Sequence, residues 1–539
     1  MKALTAAEMR EVDRLTTERF AVASHQLMEA AGKSVAEVFL EQYGHRSSQP
    51  PDCVAVLCGK GNNGGDGFVV ARYLKEEAEQ VSVVLFAKPE ELHGDAARNF
   101  ARWREQGGGV TVVESEADWE KSWSEVSCAD VIVDALLGTG IRGPATGVIA
   151  QAIADVNRLS RNATTARPGW IVAVDTPSGL PSDGEAAAGP VMRAHWTVTF
   201  TAPKVGQLIS ADAGCCGQLV VRSIGSPEAL IEEVGKGNLR WVGADEFAGL
   251  PLLRAAEAHK GSYGHVLLVA GSLGKSGAAV LAGHAALRGG AGLTTIATPE
   301  PVLPPIAASQ PEYMTEGLPA TSAGTIGLAA VHSGRLAEVV HGKTIVAIGP
   351  GVGQHPETQA FIRDAVGETE LPIVLDADGL NAFAGRGDLL ARRKSKYLVV
   401  TPHPGEMARL AGCSTADVQR DRAKAAADAA KKWNAHVVLK GFHTILASPG
   451  GAVFVNTTGN PALAKGGSGD VLTGLLGALI AQFGTEDLLR VVAFGVYLHG
   501  RAADLLSEQS EASGILAGEV AHAIPYARRK LLEELQRRG

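Results

Sequence analysis

A glycine-rich turn near the C-terminal end carries residue types suited to phosphoryl transfer. The stretch GGSGD, residues 466–470, leads directly into an apolar run of helical length. A helix start collects free backbone N–H groups and a partial positive charge, so it binds anions. Glycines allow the backbone to approach a phosphate closely, and Asp470 at the helix start can accept the proton of an attacking alcohol. We therefore interpret Asp470 as a general base beside a bound phosphate.

Asp470 also has a structural interpretation, as a cap of the following helix. A cap contributes about 1 kcal/mol of stability, whereas a general base contributes roughly 10²–10⁴-fold in rate. Ser468 can cap the helix equally well, and capping leaves the number of glycines unexplained. These considerations favour the catalytic interpretation.

A second glycine-rich stretch, GKGNNGGDG at residues 59–67, follows an apolar run. Gly59, Gly61 and Gly64 have the GxGxxG spacing of dinucleotide-binding turns. A dehydrogenase of this type places an acid about 20 residues further on to bind the ribose, and residues 81–88 contain no acid. The stretch therefore favours a phosphate-binding turn over an NAD-dependent dehydrogenase, with a tight turn that binds nothing as the structural alternative.

Polar side chains follow several apolar runs, at the positions where parallel sheets bind ligands. They are Asp134 and Asp175 in the first half, and Asp376, Asp378 and His403 in the second. Each acid alone is as compatible with capping as with catalysis, and a lone histidine is more often structural. Acids that converge at one sheet edge favour a site.

Metal-binding patterns are sparse. The six cysteines include no CxxC pair, which favours free thiols in a reducing compartment. Asn63, Asp134 and Ser178 offer hard oxygen ligands, which suit a monovalent cation and not zinc or copper.

The elements that must position these residues alternate between apolar strands and helices. Thr5 and Glu8 have capping-box spacing before a first helix, and a second helix is predicted after Ser24. The pattern breaks down and restarts between about 226 and 245, which predicts two doubly wound α/β domains with parallel sheets, 1–228 and 240–535. The predicted strands are 53–58, 81–87, 130–138, 170–179, 196–204, 265–271, 293–299, 344–351, 372–380, 397–406 and 436–441.

Composition excludes several classes of function. The chain has 539 residues, 45% of them apolar and 20% charged, and its formal charge of −8 argues against a nucleic-acid surface. The start lacks an apolar signal core, and the longest apolar run near the C-terminus is too short to span a bilayer. We expect a cytoplasmic homo-oligomer, associated through the N-terminal helical pair, with small-molecule substrates and no nucleic-acid or membrane partner.

The N-terminal motifs, taken in order, resemble the NAD(P)H-hydrate epimerase domain. The matching stretches are LMEAAG (27–32), GKGNNGGDG (59–67), VDALLGTGIRGP (133–144) and VDTPSGL (174–180). The resemblance implies a Rossmann-like domain that inverts the hydroxyl-bearing C6 of a hydrated nicotinamide ring. It implies K⁺ on Asn63, Asp134 and Ser178, and Asp175 as the general acid/base or orienting group. The implied substrate-binding residues are Asn62, Asn63, Gly64, Gly65, Asp66, Gly138, Thr139, Gly140, Ile141, Arg142, Gly143, Pro144 and Asp175.

The C-terminal motifs resemble the ribokinase-like superfamily and, more narrowly, the ADP-dependent NAD(P)H-hydrate dehydratase. The matching stretches are KSGAAVLAG (275–283), IGPGVG (348–353), DADGLNAF (376–383), TPHPGEMARL (401–410), LKGFHT (439–444) and NTTGNPALAKGGSGDVLTG (456–474). The resemblance implies that Ala278, Gly353, His403 and Asp470 contact the hydrated nicotinamide. The implied nucleotide contacts are Lys440, Gly441, Phe442, His443, Thr444 and Gly469. Mg²⁺ is expected with ADP, and Asp376, Asp378, Asn381 and Glu406 are further candidates near the phosphates or the metal.

Together the two resemblances imply a fusion enzyme that repairs hydrated NADH and NADPH, here NADHX and NADPHX. One domain would interconvert the R and S epimers. The other would phosphorylate the C6 hydroxyl of the S epimer with ADP and then eliminate phosphate, which leaves NAD(P)H and AMP. Two alternatives remain open: a ribokinase-like small-molecule kinase with a dinucleotide-binding N-terminal domain, and a dinucleotide-sensing scaffold that binds without reacting.

Overall fold

The computed structural model describes residues 1–44, 49–141, 143–161 and 169–538. The chain divides into two compact units, Met1–Leu239 and Arg240–Gly539. Each unit contains a mainly parallel sheet enclosed by helices, which confirms the predicted α/β class.

The first unit contains a seven-stranded sheet in the order β3-β2-β1-β4-β5-β6-β7, with every pair parallel. The chain winds outward from β1 to β3 and then returns to the other side of β1 with β4. Such a reversal opens a crevice at the carboxyl ends of the two strands. The strands are β1 Cys53–Cys58, β2 Gln80–Leu85, β3 Thr111–Val112, β4 Val131–Ala135, β5 Trp170–Val174, β6 Trp196–Phe200 and β7 Gln218–Arg222. The helices are α1 Ala6–Phe20, α2 Ser24–Gly44, α3 Asn62–Leu74, α4 Gly94–Glu105, α5 Glu116–Ser127, α6 Gly147–Arg161, α7 Val205–Ile209 and α8 Glu228–Val234.

Helix α1 begins as its sequence predicts. The Glu8 N–H donates to Thr5 Oγ1 at 3.2 Å, and the Thr5 N–H donates to Glu8 Oε2 at 2.9 Å. This reciprocal cap satisfies two free donors of the first turn. Val12 and Leu15 are buried in a cluster that also contains residues of α8, so one face of α1 is fixed against the unit.

The second unit contains a ten-stranded sheet in the order β11-β10-β9-β12-β13-β14-β15-β16-β17-β8. The strands are β8 Leu239–Trp241, β9 His265–Val269, β10 Leu293–Pro299, β11 Met314–Leu318, β12 Ile345–Ile348, β13 Ile373–Leu375, β14 Leu398–Val400, β15 His436–Leu439, β16 Thr444–Ala447 and β17 Val453–Asn456. The helices are α9 Ser276–Gly289, α10 Leu303–Ala307, α11 Ala329–His332, α12 Arg335–Val340, α13 Pro356–Glu368, α14 Asp378–Asn381, α15 Pro404–Ala411, α16 Thr415–Arg420, α17 Arg422–Trp433, α18 Ser468–Phe483, α19 Leu488–Ser507 and α20 Ala517–Arg538.

This second sheet is parallel from β11 to β15 and then turns antiparallel at β16 and β17. The predicted strand series stopped at 441 and missed this hairpin. Its two strands have four residues each and are joined across Ser448–Gly451, where the Gly451 N–H donates to Ser448 O at 3.0 Å. Strands this short give little periodicity to detect.

Helix α18, which carries Asp470, is held in position by close packing against α9. A Cβ added at Gly474 would lie 1.9 Å from the Ala282 carbonyl oxygen of α9. Only glycine permits that approach of the two helices. Across the described ranges, no helix is long and apolar enough to cross a membrane.

Candidate active sites

A cavity of about 1130 Å³ opens at the carboxyl ends of β1 and β4 in the first unit. It lies at the reversal of strand order, where doubly wound sheets bind ligands. Among the residues predicted to bind the epimerase substrate, those that line it are Asn62, Asn63, Asp66, Gly138, Thr139, Gly140, Ile141 and Asp175. The cavity is large enough to hold much of a dinucleotide.

The glycine-rich stretch is less of a loop than the sequence suggests, because α3 already begins at Asn62. A Cβ at Gly59 would lie 1.9 Å from Leu136 O, and one at Gly64 would lie 1.8 Å from Gly59 O. These glycines therefore allow the end of β1, the end of β4 and the first turn of α3 to pack together. No side chain caps α3 at Gly61, so its first N–H groups are available to an anion at the cavity.

The predicted cation ligands meet around Leu137. Ser178 Oγ donates to Asp134 Oδ1 at 2.5 Å, and the Ser178 N–H donates to Asp134 Oδ2 at 2.8 Å. Asn63 Nδ2 donates to Leu137 O at 3.1 Å, and the Leu137 N–H donates to Ser178 Oγ at 2.8 Å. Asp134 and Ser178 are fully buried, so they lie behind the cavity surface that Asn63 lines.

Asp175 has a strained backbone conformation, and its side chain pairs with a buried lysine. Its φ of 59° falls in the left-handed region, which costs a residue other than glycine about 1–3 kcal/mol. Gln207 Nε2 donates to the Asp175 carbonyl at 2.6 Å and so fixes that backbone. The carboxylate accepts Thr199 Oγ1 at 2.9 Å and forms an ion pair with Lys204. Lys204 is 1% exposed, so this pair is shielded from solvent.

Sequence reasoning did not single out Lys204, which ends the predicted strand 196–204 and in the structure lies between β6 and α7. It also missed Asp13, which lines the cavity from α1. Four of the predicted residues do not line this cavity: Gly64, Gly65, Gly143 and Pro144. Gly65 instead lies close to Met28. Arg142 falls outside the described residues.

In the second unit, Asp470 occupies the first turn of α18, after Gly467 with a φ of 94°. Beside it, Lys440 Nζ lies 2.7 Å from Asp376 Oδ1, and Thr473 Oγ1 donates to Asp376 Oδ2 at 2.7 Å. A Cβ added at Gly469 would lie 3.5 Å from both Asp376 Oδ2 and Lys440 Nζ. The helix start, the lysine and two acids therefore share one site.

Burial and neighbouring charges alter the pKa values of Asp470 and Lys440. Burial and then the neighbouring Asp376 raise the pKa of Asp470 to about 6, although Lys440 opposes the shift. Burial disfavours the charged form of Lys440, but Asp376 and Glu406 raise its pKa above the ordinary value. Asp470 is thus suited to proton transfer near neutral pH, while Lys440 stays charged.

His403 has a structural partner as well as a predicted substrate contact. Its Nδ1 accepts the Gly405 N–H at 3.0 Å, and Glu406 Oε2 accepts the His403 N–H at 2.8 Å. This reciprocal cap starts α15. Glu406 Oε2 also lies 3.9 Å from Lys440 Nζ, so the cap connects His403 to the charged centre.

The predicted nucleotide loop, 440–444, is held from behind by Arg422 of α17. Arg422 donates to Leu439 O at 3.2 Å, to Lys440 O at 3.4 Å and to Phe442 O. Phe442 is 61% exposed, and its ring stacks on His443 with centroids 3.9 Å apart. Arg422 was missed, because no local motif marks it within the alanine-rich helix.

The remaining predicted substrate residues lie around Asp378. The Gly353 N–H donates to Asp378 Oδ2 at 3.1 Å, and Lys275 Nζ lies 3.2 Å from the same oxygen. Asn381 Nδ2 donates to Asp378 Oδ1 at 3.3 Å. Ala278 sits against this group, because its Cβ is 2.9 Å from a Cβ placed on Gly351.

Another residue that the sequence did not indicate is His499 of α19. Its Nε2 is buried and has no hydrogen-bond partner among the described residues. Burial and then Lys440 lower the pKa of His499 to about 4, so the imidazole is neutral beside the lysine.

Comparison with known proteins connects these sites to a family. A family model described as NAD(P)H-hydrate dehydratase matches residues 266–526, and one described as YjeF-related protein N-terminus matches residues 24–206. The bifunctional NAD(P)H-hydrate repair enzyme of Moorella thermoacetica is 40% identical over 538 residues, covering 99% of this chain and 98% of the relative. The chain belongs to the family of bifunctional NAD(P)H-hydrate repair enzymes. The member from Escherichia coli is 34% identical over 520 residues, covering 96% of this chain and 92% of the relative.

Among solved structures, the ADP/ATP-dependent NAD(P)H-hydrate dehydratase of Bacillus subtilis, co-crystallised with ATP and Mg²⁺, is 33% identical. It covers 55% of this chain and 99% of that chain, with a TM-score of 0.47. A ribokinase-like superfamily protein of Enterococcus faecalis is 26% identical, with 55% and 96% covered and a TM-score of 0.48. The predicted family, with an N-terminal epimerase and a C-terminal dehydratase, is confirmed by the sequence matches to bifunctional NAD(P)H-hydrate repair enzymes.

Proposed function

We propose that the C-terminal unit of this NAD(P)H-hydrate repair enzyme dehydrates S-NADHX and S-NADPHX with ADP, using Asp470 as the base. The observation that carries the proposal is the first turn of α18, where Asp470 has a raised pKa and faces a charged lysine. Asp470 takes the proton of the C6 hydroxyl. Lys440 and the free N–H groups of α18 neutralise the transferred phosphoryl group. Loss of phosphate from C6 and of a proton from C5 to solvent then forms the C5=C6 double bond and restores the dihydronicotinamide ring.

The residues around Lys440 fit a nucleotide that arrives with Mg²⁺. Among the described residues, no group of three His, Cys, Asp or Glu side chains could hold a metal by itself. Mg²⁺ commonly binds through one or two carboxylates and the substrate phosphates, and here Asp378 or Glu406 would hold it. Bound in this way, the ion would neutralise phosphate charge. Residues 440–444 and Gly469 would contact the nucleotide.

For the N-terminal unit, we propose that the cavity binds R- and S-NAD(P)HX and that Asp175 acts as a general acid/base at C6. Asn62, Asp66 and the turn 138–140 would hold the phosphates and sugar. The Asp175 carboxylate borders the cavity and forms an ion pair with Lys204, which fixes its orientation there.

K⁺ fits the oxygen groups around Leu137. Asp134 is fully buried, and it accepts hydrogen bonds from the neutral N–H and hydroxyl groups of Ser178 and from the Leu136 N–H, with no ion pair among the residues that the structure describes. A buried carboxylate without a positive partner is costly, and a monovalent cation on Asn63, Asp134 and Ser178 would supply that charge. The cation would stabilise the loop that carries Leu137.

We also infer a reducing compartment and a homo-oligomer. All six cysteines are free, as expected of thiols kept reduced. We expect small-molecule partners, because the net charge of −8 disfavours a nucleic-acid surface and no helix of the described residues is long and apolar enough to span a membrane. Light scattering of the purified chain measures the number of subunits.

The decisive experiment supplies pure R-NADHX with ADP and follows the absorbance of NADH together with AMP. We expect NADH and AMP in equal amounts, because epimerisation feeds the dehydratase. A stable phosphorylated ring would instead identify a small-molecule kinase. Tight binding without any turnover would identify a scaffold.

A further inference from the structure

Helix α1 presents a carboxyl group to the epimerase cavity that the proposed function does not yet use. Asp13 lines the same cavity as Asp66, Asp175 and Lys204. Its Oδ1 is buried and has no hydrogen-bond partner among the described residues. A buried carboxyl oxygen left unpaired costs about 1–3 kcal/mol, so its retention at a cavity wall points to a role with the bound ligand.

The position of Asp13 relative to Lys204 is fixed by the backbone. The Leu4 N–H donates to Pro203 O at 3.0 Å, and the Val205 N–H donates to Leu4 O at 3.0 Å. Leu4 therefore ties the start of α1 to the segment that carries Lys204. The buried face of α1 holds the helix against the unit, so Asp13 is presented to the cavity on a rigid element.

The carboxyl groups that line the cavity differ in their charged partners. Lys204 is committed to Asp175, to Thr199 Oγ1 at 2.8 Å and to Phe200 O at 3.3 Å. Burial raises the pKa of Asp13 to about 6, with Lys204 lowering it and Asp175 raising it further. Burial, then Asp175 and Asp13, hold the pKa of Asp66 well above its usual range. Asp175 is therefore the carboxyl group paired with a lysine, whereas Asp13 and Asp66 have raised pKa values and no ion pair among the described residues.

We propose that Asp13 is the catalytic proton donor of the epimerase reaction and acts with Asp175 as the acceptor. This inference rests on the proposed epimerase function of the cavity. In this scheme oxygen leaves C6 from one face of the ring and returns on the other. An unpaired carboxyl group with a raised pKa on α1 and a lysine-paired carboxyl group at the end of β5 supply the two complementary roles.

The reaction removes the C6 oxygen of the hydrated ring as water and adds a second water to the opposite face. Asp13 donates its proton to the C6 hydroxyl, the C6–O bond breaks with its electron pair on the departing water, and the N1 lone pair forms an N1=C6 double bond. A solvent water then adds to the other face of C6, Asp175 accepts its proton, and the N1=C6 electrons return to N1. Solvent carries the proton from Asp175 back to Asp13, which restores the enzyme.

The charged groups that face Asp13 determine its pH response. They are Lys204 and Asp175, with Asp66 across the cavity and Arg10 on its own helix at the cavity wall. Two acids of α8 are engaged elsewhere, Glu232 with Lys2 and Glu233 with Arg19. Because a donor must be protonated, the epimerase rate should fall as pH rises through the pKa of Asp13.

The test replaces Asp13 by Asn in the full chain. Epimerisation of R-NADHX is followed without ADP by resolving the two epimers, in water enriched in ¹⁸O and across pH 5–8. We expect D13N to slow epimerisation by roughly 10²-fold or more and to lose the fall in rate with rising pH. The wild-type S epimer should carry ¹⁸O at C6. Dehydration of S-NADHX with ADP, measured on the same preparations, should be unchanged.

Glu18→Gln is the matched control. Glu18 lies on α1, is 55% exposed and pairs with Arg14, which keeps Glu11 as a second partner. E18Q should epimerise as wild type does, and the melting temperature of D13N should not fall. Rapid epimerisation by D13N, a slowed D13N that keeps the wild-type pH profile, or inversion without ¹⁸O uptake would overturn the role of Asp13. If Asp175→Asn epimerises normally, Asp175 is not the acceptor. If wild type does not epimerise, the proposed function of the cavity fails, and the inference with it.

Discussion

The two units of this enzyme each contain a lysine beside acids, buried in the first unit and 22% exposed in the second, and the two lysines are placed differently. In the first unit, Lys204 pairs directly with Asp175, the candidate catalytic acid. In the second, Lys440 pairs with Asp376 and leaves Asp470 without a direct ion pair among the described residues. The difference teaches that a lysine can pair with the candidate catalytic acid itself or can pair with a second acid and leave the catalytic one with a raised pKa. The first arrangement fixes the position of the carboxylate, and the second suits a base that titrates near the working pH.

The largest expected effect is the loss of one activity when either Asp470 or Asp175 is replaced. Asp470→Asn should lower the dehydration rate of S-NADHX by roughly 10²–10⁴-fold, because the proton acceptor is lost. Epimerisation by the same preparation should be unaffected. Asp175→Asn should show the reverse pattern. Production of AMP and NADH from S-NADHX, and loss of R-NADHX without ADP, measure the two activities, and equal loss of both in either variant would contradict this division.

Removal of each lysine tests how strongly each acid depends on its partner. Asp376 is 1% exposed, whereas the Asp175 side chain is 16% exposed and borders the cavity. Lys440→Met should therefore destabilise its unit by about 3–5 kcal/mol, because a buried charge loses its partner. Lys204→Met should cost less, because water in the cavity can solvate Asp175.

Urea unfolding of the two lysine variants, followed by proteolysis and by detection of peptides from each unit, provides the measurement. If K204M destabilises its unit as much as K440M does, solvation of Asp175 by water in the cavity does not reduce the cost of losing the lysine.

The raised pKa of Asp470 predicts a specific pH dependence. A general base must be ionised, so the dehydratase kcat/KM should rise with pH through about 6 and level off above it. Asp376→Asn removes a negative charge that raises the Asp470 pKa, and it frees Lys440 to approach Asp470. Both effects lower that pKa, so the rising limb should move to lower pH.

The position of the limb, not the height of the plateau, is the quantity to compare. Asp388→Asn is the matched control, since Asp388 is exposed and pairs with Lys432. A limb that stays in place in D376N, or moves equally in D388N, would show that Asp376 does not set the pKa.

The smallest effect concerns the hydroxyls that serve the two buried acids. Ser178 donates to Asp134 and Thr473 donates to Asp376, so Ser178→Ala and Thr473→Ala each leave a buried carboxyl less satisfied, at a cost of about 1–3 kcal/mol. K⁺ should raise the melting temperature of the wild-type N-terminal unit and do so less in S178A. The T473A defect should not respond to K⁺, and an equal response of both variants would argue against a cation at Asp134.

Much of both sites could be predicted from sequence because the residues follow strands of parallel sheets. Asp134, Asp175 and Asp376 each lie within or directly after a short apolar strand, so strand recognition was enough to place them at a sheet edge. The helix start at Asp470 was equally visible, because glycines precede a long apolar run.

The residues that sequence reasoning missed come from distant segments and carry no local motif. Asp13 lies in an ordinary amphipathic helix, and Arg422 starts an alanine-rich one. Only tertiary packing brings Asp13 to Asp175 and Arg422 behind the 440–444 loop. The capping role of His403 was also missed, because a histidine is an uncommon N-cap.

The most direct test of the dehydratase site follows phosphate through one turnover. Wild-type enzyme is mixed with S-NADHX and ADP labelled in its terminal phosphate, and the products are separated at short times. We predict a phosphorylated ring that forms and decays, with the label ending in inorganic phosphate, one NADH and one AMP per turnover, and none of these in D470N. Label that never leaves ADP while NADH appears, or normal turnover by D470N, would contradict the assignment of Asp470 as the base.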